Sequence, residues 1–165
     1  MPQLTFPSPV GWLSVTEEAG VIVRVAWRRG GEADLTPLLI EARRQIEAYL
    51  AGELASFDLP HRAEGSRFEQ LVWQEMLKIP CGKTRTYGDI ALATGAPARA
   101  VGQACGRNPI PLIIPCHRVL GADGLGGFSG GEGRPTKRWL LTLEQRMTGG
   151  PSQGDLFAAS AVTSP

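Results

Sequence analysis

Residues 86 to 104, Thr86-Tyr87-Gly88-Asp89-Ile90-Ala91-Leu92-Ala93-Thr94-Gly95-Ala96-Pro97-Ala98-Arg99-Ala100-Val101-Gly102-Gln103-Ala104, decide how the second half of this chain folds. Thr86 with Asp89 three residues on has capping spacing and starts a short helix through Ala93. Gly95-Ala96-Pro97 cannot continue it and makes a tight turn into a second helix from Ala98 to Ala104. Two short helices joined by a glycine-containing turn form a helix-turn-helix signal. The second helix is narrow, built mainly from alanine with one glycine, so it can approach a DNA backbone but has few long side chains for reading bases in the major groove. Arg99 is the exception. One planar cation on a narrow helix suits minor-groove entry, where it could fill the gap left by an extruded base. The plain alternative is a core helix with a surface arginine.

Working outward, Ser66-Arg67-Phe68-Glu69 repeats the capping-box spacing, and Phe68, Leu71, Val72 and Met76 recur at helical intervals until Ile79-Pro80. Further upstream, residues 11–17 and 21–27 are β-prone runs around Glu17-Glu18-Ala19-Gly20, a hairpin in which Val21, Val23, Val25 and Trp27 alternate as one face. Thr36-Pro37 is a cap followed by a first-turn proline, and Leu38, Leu39, Ala42, Ile46, Tyr49 and Leu50 form the apolar stripe of a helix ending near Gly52. Residues 54–65 lack periodicity and read as a link. The expected architecture is an α/β amino-terminal domain over residues 1–62, a mainly α domain containing the helix-turn-helix over 63–148, and a flexible Gly/Ser/Pro/Ala-rich tail over 149–165.

The 165 residues carry a net charge of +1, which hides an asymmetry. Residues 1–82 hold eight Lys or Arg against eleven Asp or Glu; residues 83–146 hold nine against four. A basic second half favours a polyanionic partner such as nucleic acid, or else is a solvated face. No apolar run approaches the ~18 residues of a membrane span, and Met1-Pro2-Gln3-Leu4 lacks signal-peptide character, so a cytoplasmic protein is expected. Cys81, Cys105 and Cys116 are odd in number and match neither a disulfide framework nor a zinc motif, and His61 and His117 are the only histidines. Reduced thiols and no metal are the expectation.

Ile114-Pro115-Cys116-His117-Arg118 concentrates the chemistry. A cysteine beside a histidine and an arginine sits in surroundings that depress a thiol pKa, giving a nucleophilic thiolate. The apolar run Leu112-Ile113-Ile114 reads as a short buried strand delivering the sulfur to its end. Neighbouring strand residues point to opposite faces, so for His117 to act on Cys116 the chain must leave strand geometry at Pro115, or a water must bridge the two.

Tyr87-Gly88-Asp89-Ile90-Ala91, Ala98-Arg99-Ala100-Val101-Gly102, Asn108-Pro109, Ile114-Pro115-Cys116-His117-Arg118-Val119, Gly127-Phe128-Ser129-Gly130-Gly131, and Lys137 with Trp139-Leu140-Leu141 and Glu144 resemble, in order, the O6-alkylguanine-DNA alkyltransferases. The likeness is close over residues 66–146 and looser before them. It implies a ribonuclease-H-like first domain, a winged-helix-like second one, and a monomer that repairs double-stranded DNA. The alkyl group of O6-alkylguanine, and of O4-alkylthymine, would pass irreversibly and stoichiometrically to Cys116 after base flipping. It further implies His117 as base through a water, Glu144 orienting the histidine, Asn108 fixing the backbone, and Tyr87 assisting the departing purine. Arg99, Val119, Phe128, Ser129 and Lys137 would contact the substrate base, and Thr86, Tyr87, Ala98, Arg99, Ala100, Gly102, Arg107 and Arg118 the DNA. No cofactor is implied, and the zinc-binding cysteines of some relatives have no counterparts. The turn before Arg99 looks shorter than the usual family turn, and Phe128 stands where many members have tyrosine. A non-catalytic sensor of alkylated DNA is the alternative, opposed by the presence of Cys116. In the tail, Gln153-Gly154-Asp155-Leu156-Phe157 resembles peptides that dock on bacterial sliding clamps through Gln153, Asp155, Leu156 and Phe157.

Overall fold

A computed structural model describes residues 1–149. The tail motif Gln153, Asp155, Leu156 and Phe157 therefore lies outside the described residues, as does nearly all of the expected 149–165 tail. The chain opens with a three-stranded antiparallel meander in the order β1 (Gln3–Phe6), β2 (Leu13–Glu18), β3 (Val21–Trp27). The hairpin expected from residues 11–27 is present, and β1 was not foreseen. The expected apolar face on β3 is corrected. Thr16 pairs with Arg24 but Glu17 with Ile22, a bulge that leaves Val23 extra, so the buried positions are Ile22 and Val25 rather than an even alternation.

Helix α1 (Pro37–Leu50) begins where Thr36 accepts the Leu39 N–H at 3.1 Å and buries Leu39, Ala42, Ile46, Tyr49 and Leu50, nearly the expected stripe. Helix α2 (Arg67–Leu77) has the full Ser66/Glu69 capping box. Its inward face uses Val72, Trp73 and Met76, whereas Leu71 remains 45% exposed. The Trp73 indole reaches its partner in the core, donating to Ala104 O at 2.9 Å.

The helix-turn-helix follows as α3 (Tyr87–Thr94) and α4 (Ala98–Gly106). Thr86 and Asp89 cap α3 reciprocally, and Gly95 ends it in the left-handed conformation at φ 71°, which a side chain would resist. Two-residue strands β4 (Arg85–Thr86) and β5 (Val119–Leu120) pair in parallel. That pairing matters for the site, because Tyr87 directly follows β4 and Val119 directly follows the Cys116 motif. Helix α5 (Arg134–Thr148) closes the described chain. A cluster of buried apolar side chains runs from Leu4 to Leu140, so the sheet, α1, and the second-half helices share one core. Among the described residues, no helix is long and apolar enough to cross a membrane.

Candidate active site

The expected strand at Leu112–Ile114 is not formed. Leu112 has φ 73°, Ile114 N–H bonds back to Ile110 O at 2.9 Å, and all three side chains are buried in a compact turn. Burial, which the apolar run does report, is thus met by a loop rather than an extended segment. Pro115 then adopts φ −81° and ψ 68° while Cys116 N–H donates to Ile114 O at 2.8 Å, an inverse γ-turn. From this turn at Pro115 the chain enters a 3-10 helix, Cys116–Arg118. Asn108 holds this loop from beneath: its amide donates to Ile114 O at 2.8 Å and its Oδ1 accepts from Ile110 N–H at 3.0 Å.

His117 and Glu144 are fully buried, with Nε2 2.7 Å from Glu144 Oε2. Burial holds the imidazole below its ordinary pKa, against the pull of Glu144. Burial also opposes the Glu144 carboxylate, but His117 and Arg118 outweigh it and hold that pKa well below the usual carboxylate range. The consistent state is neutral His117 donating Nε2–H to ionised Glu144. Nδ1, which makes no hydrogen bond with the described residues, is then the basic nitrogen. Glu144 also accepts from Arg118 Nε and Nη2 at 2.9 Å each, from Tyr49 Oη at 2.5 Å and from Gly82 N–H at 3.3 Å.

Two cavities meet at Cys116. One, of about 320 Å³, is lined by Tyr87, Gly102, Cys105, Cys116, Phe128 and Ser129; the other, of about 200 Å³, shares Cys105, Cys116, Phe128 and Ser129 and is closed by Ala26 and Trp27 of β3. Phe128 meets Trp27 edge-on at 5.9 Å. The Tyr87 phenol is pushed up to about 12, chiefly by burial, so it is a neutral donor at physiological pH. Gly126, at φ 73°, lies so close to Tyr87 that a Cβ there would sit 2.9 Å from the ring, so glycine is required for that approach. Lys137 is buried, its Nζ bonding Val119 O at 2.7 Å and Gly127 O at 3.1 Å; its pKa falls to about 8 through burial, with Cys116 and Cys105 opposing.

Several expectations are corrected. The Cys116 thiol is raised, not depressed: burial dominates the hydrogen bond from Asn108, the charge of Lys137 and two backbone N–H groups. His117 is uncharged, and Arg118 turns away to Glu144 and to Ile79 O at 2.7 Å, so the flanking residues do not supply the electropositive setting their order suggests. Arg118, expected at the DNA, is buried with its guanidinium committed to these internal partners. Val119 is fully buried and meets the site through its backbone, its N–H donating to Cys116 O and its carbonyl accepting from Lys137, while Lys137 fastens β5 to the Gly127 loop instead of lining either cavity. Arg99 and Ala98 are exposed on α4, Ala100 and Gly102 are half-buried, and Thr86 caps α3. Arg107 is exposed and pairs with Glu69 at 3.5 Å. Residues missed by sequence reasoning are Tyr49, Cys105 and Trp27. Tyr49 looked like one more apolar stripe position; the signal was its hydroxyl, which needs a partner once buried.

A thiol in a cavity beside a helix-turn-helix, followed in the chain by a buried histidine bonded to a carboxylate, defines a nucleophilic-cysteine protein that works next to a nucleic-acid-binding element. The family model "6-O-methylguanine DNA methyltransferase, DNA binding domain" matches residues 67–146. The constitutive methylated-DNA–protein-cysteine methyltransferase of Bacillus subtilis is 41% identical over 155 residues, covering 86% of this chain and 93% of the relative. That of Methanosarcina acetivorans is 43% identical, covering 84% and 95%. The crystal structure of Mycobacterium tuberculosis OGT in complex with DNA superposes with a TM-score of 0.79 at 42% identity, covering 94% of this chain and 98% of that one. The chain belongs to the 6-O-methylguanine DNA methyltransferase family.

Proposed function

We propose that the protein repairs O6-alkylguanine, and O4-alkylthymine, in duplex DNA by moving the alkyl group to Cys116 Sγ once per molecule. The observation that carries this reading is the cavity that Cys116 and Tyr87 both line, with neutral His117, the next residue in the same 3-10 helix, anchored by Glu144. Arg99, exposed near the start of α4, enters the duplex where the damaged base leaves the stack, and the flat Ala98, Ala100 and Gly102 surface permits close approach. A Cβ on Gly102 would touch nothing in the protein, so its bareness is not demanded by packing.

With the base in the cavity, the thiol proton passes through a water to His117 Nδ1 as sulfur attacks the alkyl carbon. The S–C bond forms, the C–O6 bond breaks, and its electron pair moves into the purine. Tyr87 donates to guanine N3 as that charge develops, Ser129 steadies O6, and the proton taken from sulfur ends on the released guanine. Because the thiol begins protonated, the base must act during the attack, which is why an orienting carboxylate is needed. The product is a thioether, and neither Cys81 nor Cys105 can reduce it.

The three-stranded meander covered by α1 supports a ribonuclease-H-like unit over residues 1–62, and the helix-turn-helix with its β4–β5 pair supports a winged-helix-like unit over 63–148. A DNA substrate and three unpaired thiols favour the cytoplasm. Incubation with duplex carrying a labelled methyl on guanine O6 tests the function. One methyl on the Cys116 peptide, abolished by Cys116→Ala without loss of duplex binding, is expected. Label on Cys81 or Cys105 overturns the assignment, and binding without label returns the sensor alternative.

A further inference from the structure

A groove of about 530 Å³, separate from the Cys116 cavities, lies between the β1–β2 connection, the end of β3 and the start of α5. Three of the chain's four tryptophans, Trp12, Trp27 and Trp139, line it together with Arg28 and Arg29. Trp12 and Trp139 remain 37% and 38% exposed, and the core has no use for indole surface left in water. Arg29 lies over the Trp12 ring at 5.9 Å, and neither Arg28 nor Arg29 is paired with a carboxylate among the described residues. Glu132 also lines the groove, so its two guanidinium groups outnumber one carboxylate, and flat π surfaces beside a net positive charge match a ligand that is both planar-aromatic and anionic. A peptide could use the indoles but has no general need for the two cations; a nucleotide uses both.

The groove's place in the fold points the same way. Trp27 is its inner wall and also the outer wall of the smaller cavity at Cys116. Gly130 and Gly131 continue that partition from the loop holding Ser129, and a Cβ on Gly130 would strike the Trp27 ring at 2.6 Å. One layer of side chains therefore separates this groove from the reacting sulfur.

We propose that the groove is a second nucleic-acid site that takes unpaired nucleotides, their bases stacked on Trp12 and Trp139 and their phosphates held by Arg28 and Arg29. The proposal rests on the DNA-repair reading but uses residues outside the α4 face and the transfer machinery, so the two can fail separately. It would let the protein hold single-stranded DNA as well as duplex.

The test is titration of the full chain with an unmodified single-stranded oligodeoxynucleotide of about eight nucleotides, followed by anisotropy and tryptophan fluorescence. Expected are quenching in the unsubstituted protein and a loss of affinity of roughly tenfold or more in Trp12→Ala and in Arg28→Ala/Arg29→Ala, the scale of one lost stacked base or phosphate contact. Arg99→Ala should leave single-strand binding within about twofold while weakening the duplex. The rate with free O6-benzylguanine, which needs no nucleic-acid contact, should stay within about twofold in the groove variants and certifies their fold. Absent quenching, or single-strand affinity indifferent to the groove substitutions, overturns the proposal even if duplex binding persists. Failure of the unsubstituted protein to bind either form overturns the DNA reading with it.

Discussion

Tyr49→Phe isolates the bond by which the first-half helix α1 reaches the relay. The Tyr49 hydroxyl donates to Glu144 Oε2 at 2.5 Å and lies 3.3 Å from His117 Nε2, in a site where Tyr49, His117 and Glu144 are all fully buried. Phenylalanine fills nearly the same volume, so no cavity contributes. What is lost is one hydrogen bond to a charged acceptor, about 1.5–3 kcal/mol, and the carboxylate keeps His117, Arg118 and Gly82 as donors, which places the loss near 2 kcal/mol. For a chain of this size that corresponds to a fall in Tm of roughly 4–8 °C. Urea unfolding followed by circular dichroism should show a lower midpoint at unchanged slope. Transfer from O6-benzylguanine should slow by less than about fivefold, since the 2.7 Å bond orienting His117 survives. A stability change under about 0.5 kcal/mol would show that the hydroxyl is not needed by the buried carboxylate.

Glu144→Gln should cost far more, about 3–5 kcal/mol, because Arg118 stays buried without its counter-charge, and transfer should slow by about a hundredfold or more; a folded variant with near-normal rate refutes the relay. In the pH dependence, folded His117 binds its proton more weakly than the unfolded chain does. Its contribution to stability is therefore present above about pH 6.5 and lost as pH falls, with Glu144 behaving likewise below about pH 4.5. The transfer rate should stay level from about pH 7 to 9 and decline on the acid side as His117 protonates, whereas a rate falling above neutrality would indicate a pre-formed thiolate–imidazolium pair. Arg99→Ala should slow repair in duplex far more than reaction with free O6-benzylguanine, since flipping costs a few kcal/mol that the side chain offsets in part; equal slowing on both substrates contradicts that role. A peptide of residues 150–160 is expected to bind a bacterial sliding clamp with a Kd on the order of micromolar and to lose binding on Leu156→Ala/Phe157→Ala; binding indifferent to the pair of substitutions sinks the motif.

Elements marked by local chemistry were legible in the sequence. The Thr36, Ser66 and Thr86 caps and the Gly95 stop are decided by a few neighbouring residues, and each appears where the spacing puts it. Non-local partners were not legible. The bulge at Thr16/Glu17 depends on strand pairing and shifts the buried face of β3, while Leu112–Ile114 has strand composition but is folded into a turn by Asn108 and the surrounding core. The site divides along the same line. The positions of Cys116, His117, Asn108 and Glu144 followed from the resemblance, but charge state did not, because adjacency to His117 and Arg118 says nothing about which way they face. Tyr49, 95 residues from Glu144, could not be assigned to the site from periodicity alone.

The order of elements along the chain sets when the nucleophile becomes usable during synthesis. Glu144 follows His117 by 27 residues and sits on α5, the last described helix, while its donors come from α1, the loop after α2 and the 3-10 helix. Domains fold from the amino terminus as they emerge from the ribosome, so α1, the meander and the helix-turn-helix can be in place while α5 is still being made. Until α5 docks, His117 has no carboxylate to fix its tautomer and Lys137 cannot fasten the Gly127 loop. A protein that reacts only once thereby keeps its sulfur idle until α5 has been made and has docked, a delay set by the 27 residues that separate the imidazole from its carboxylate.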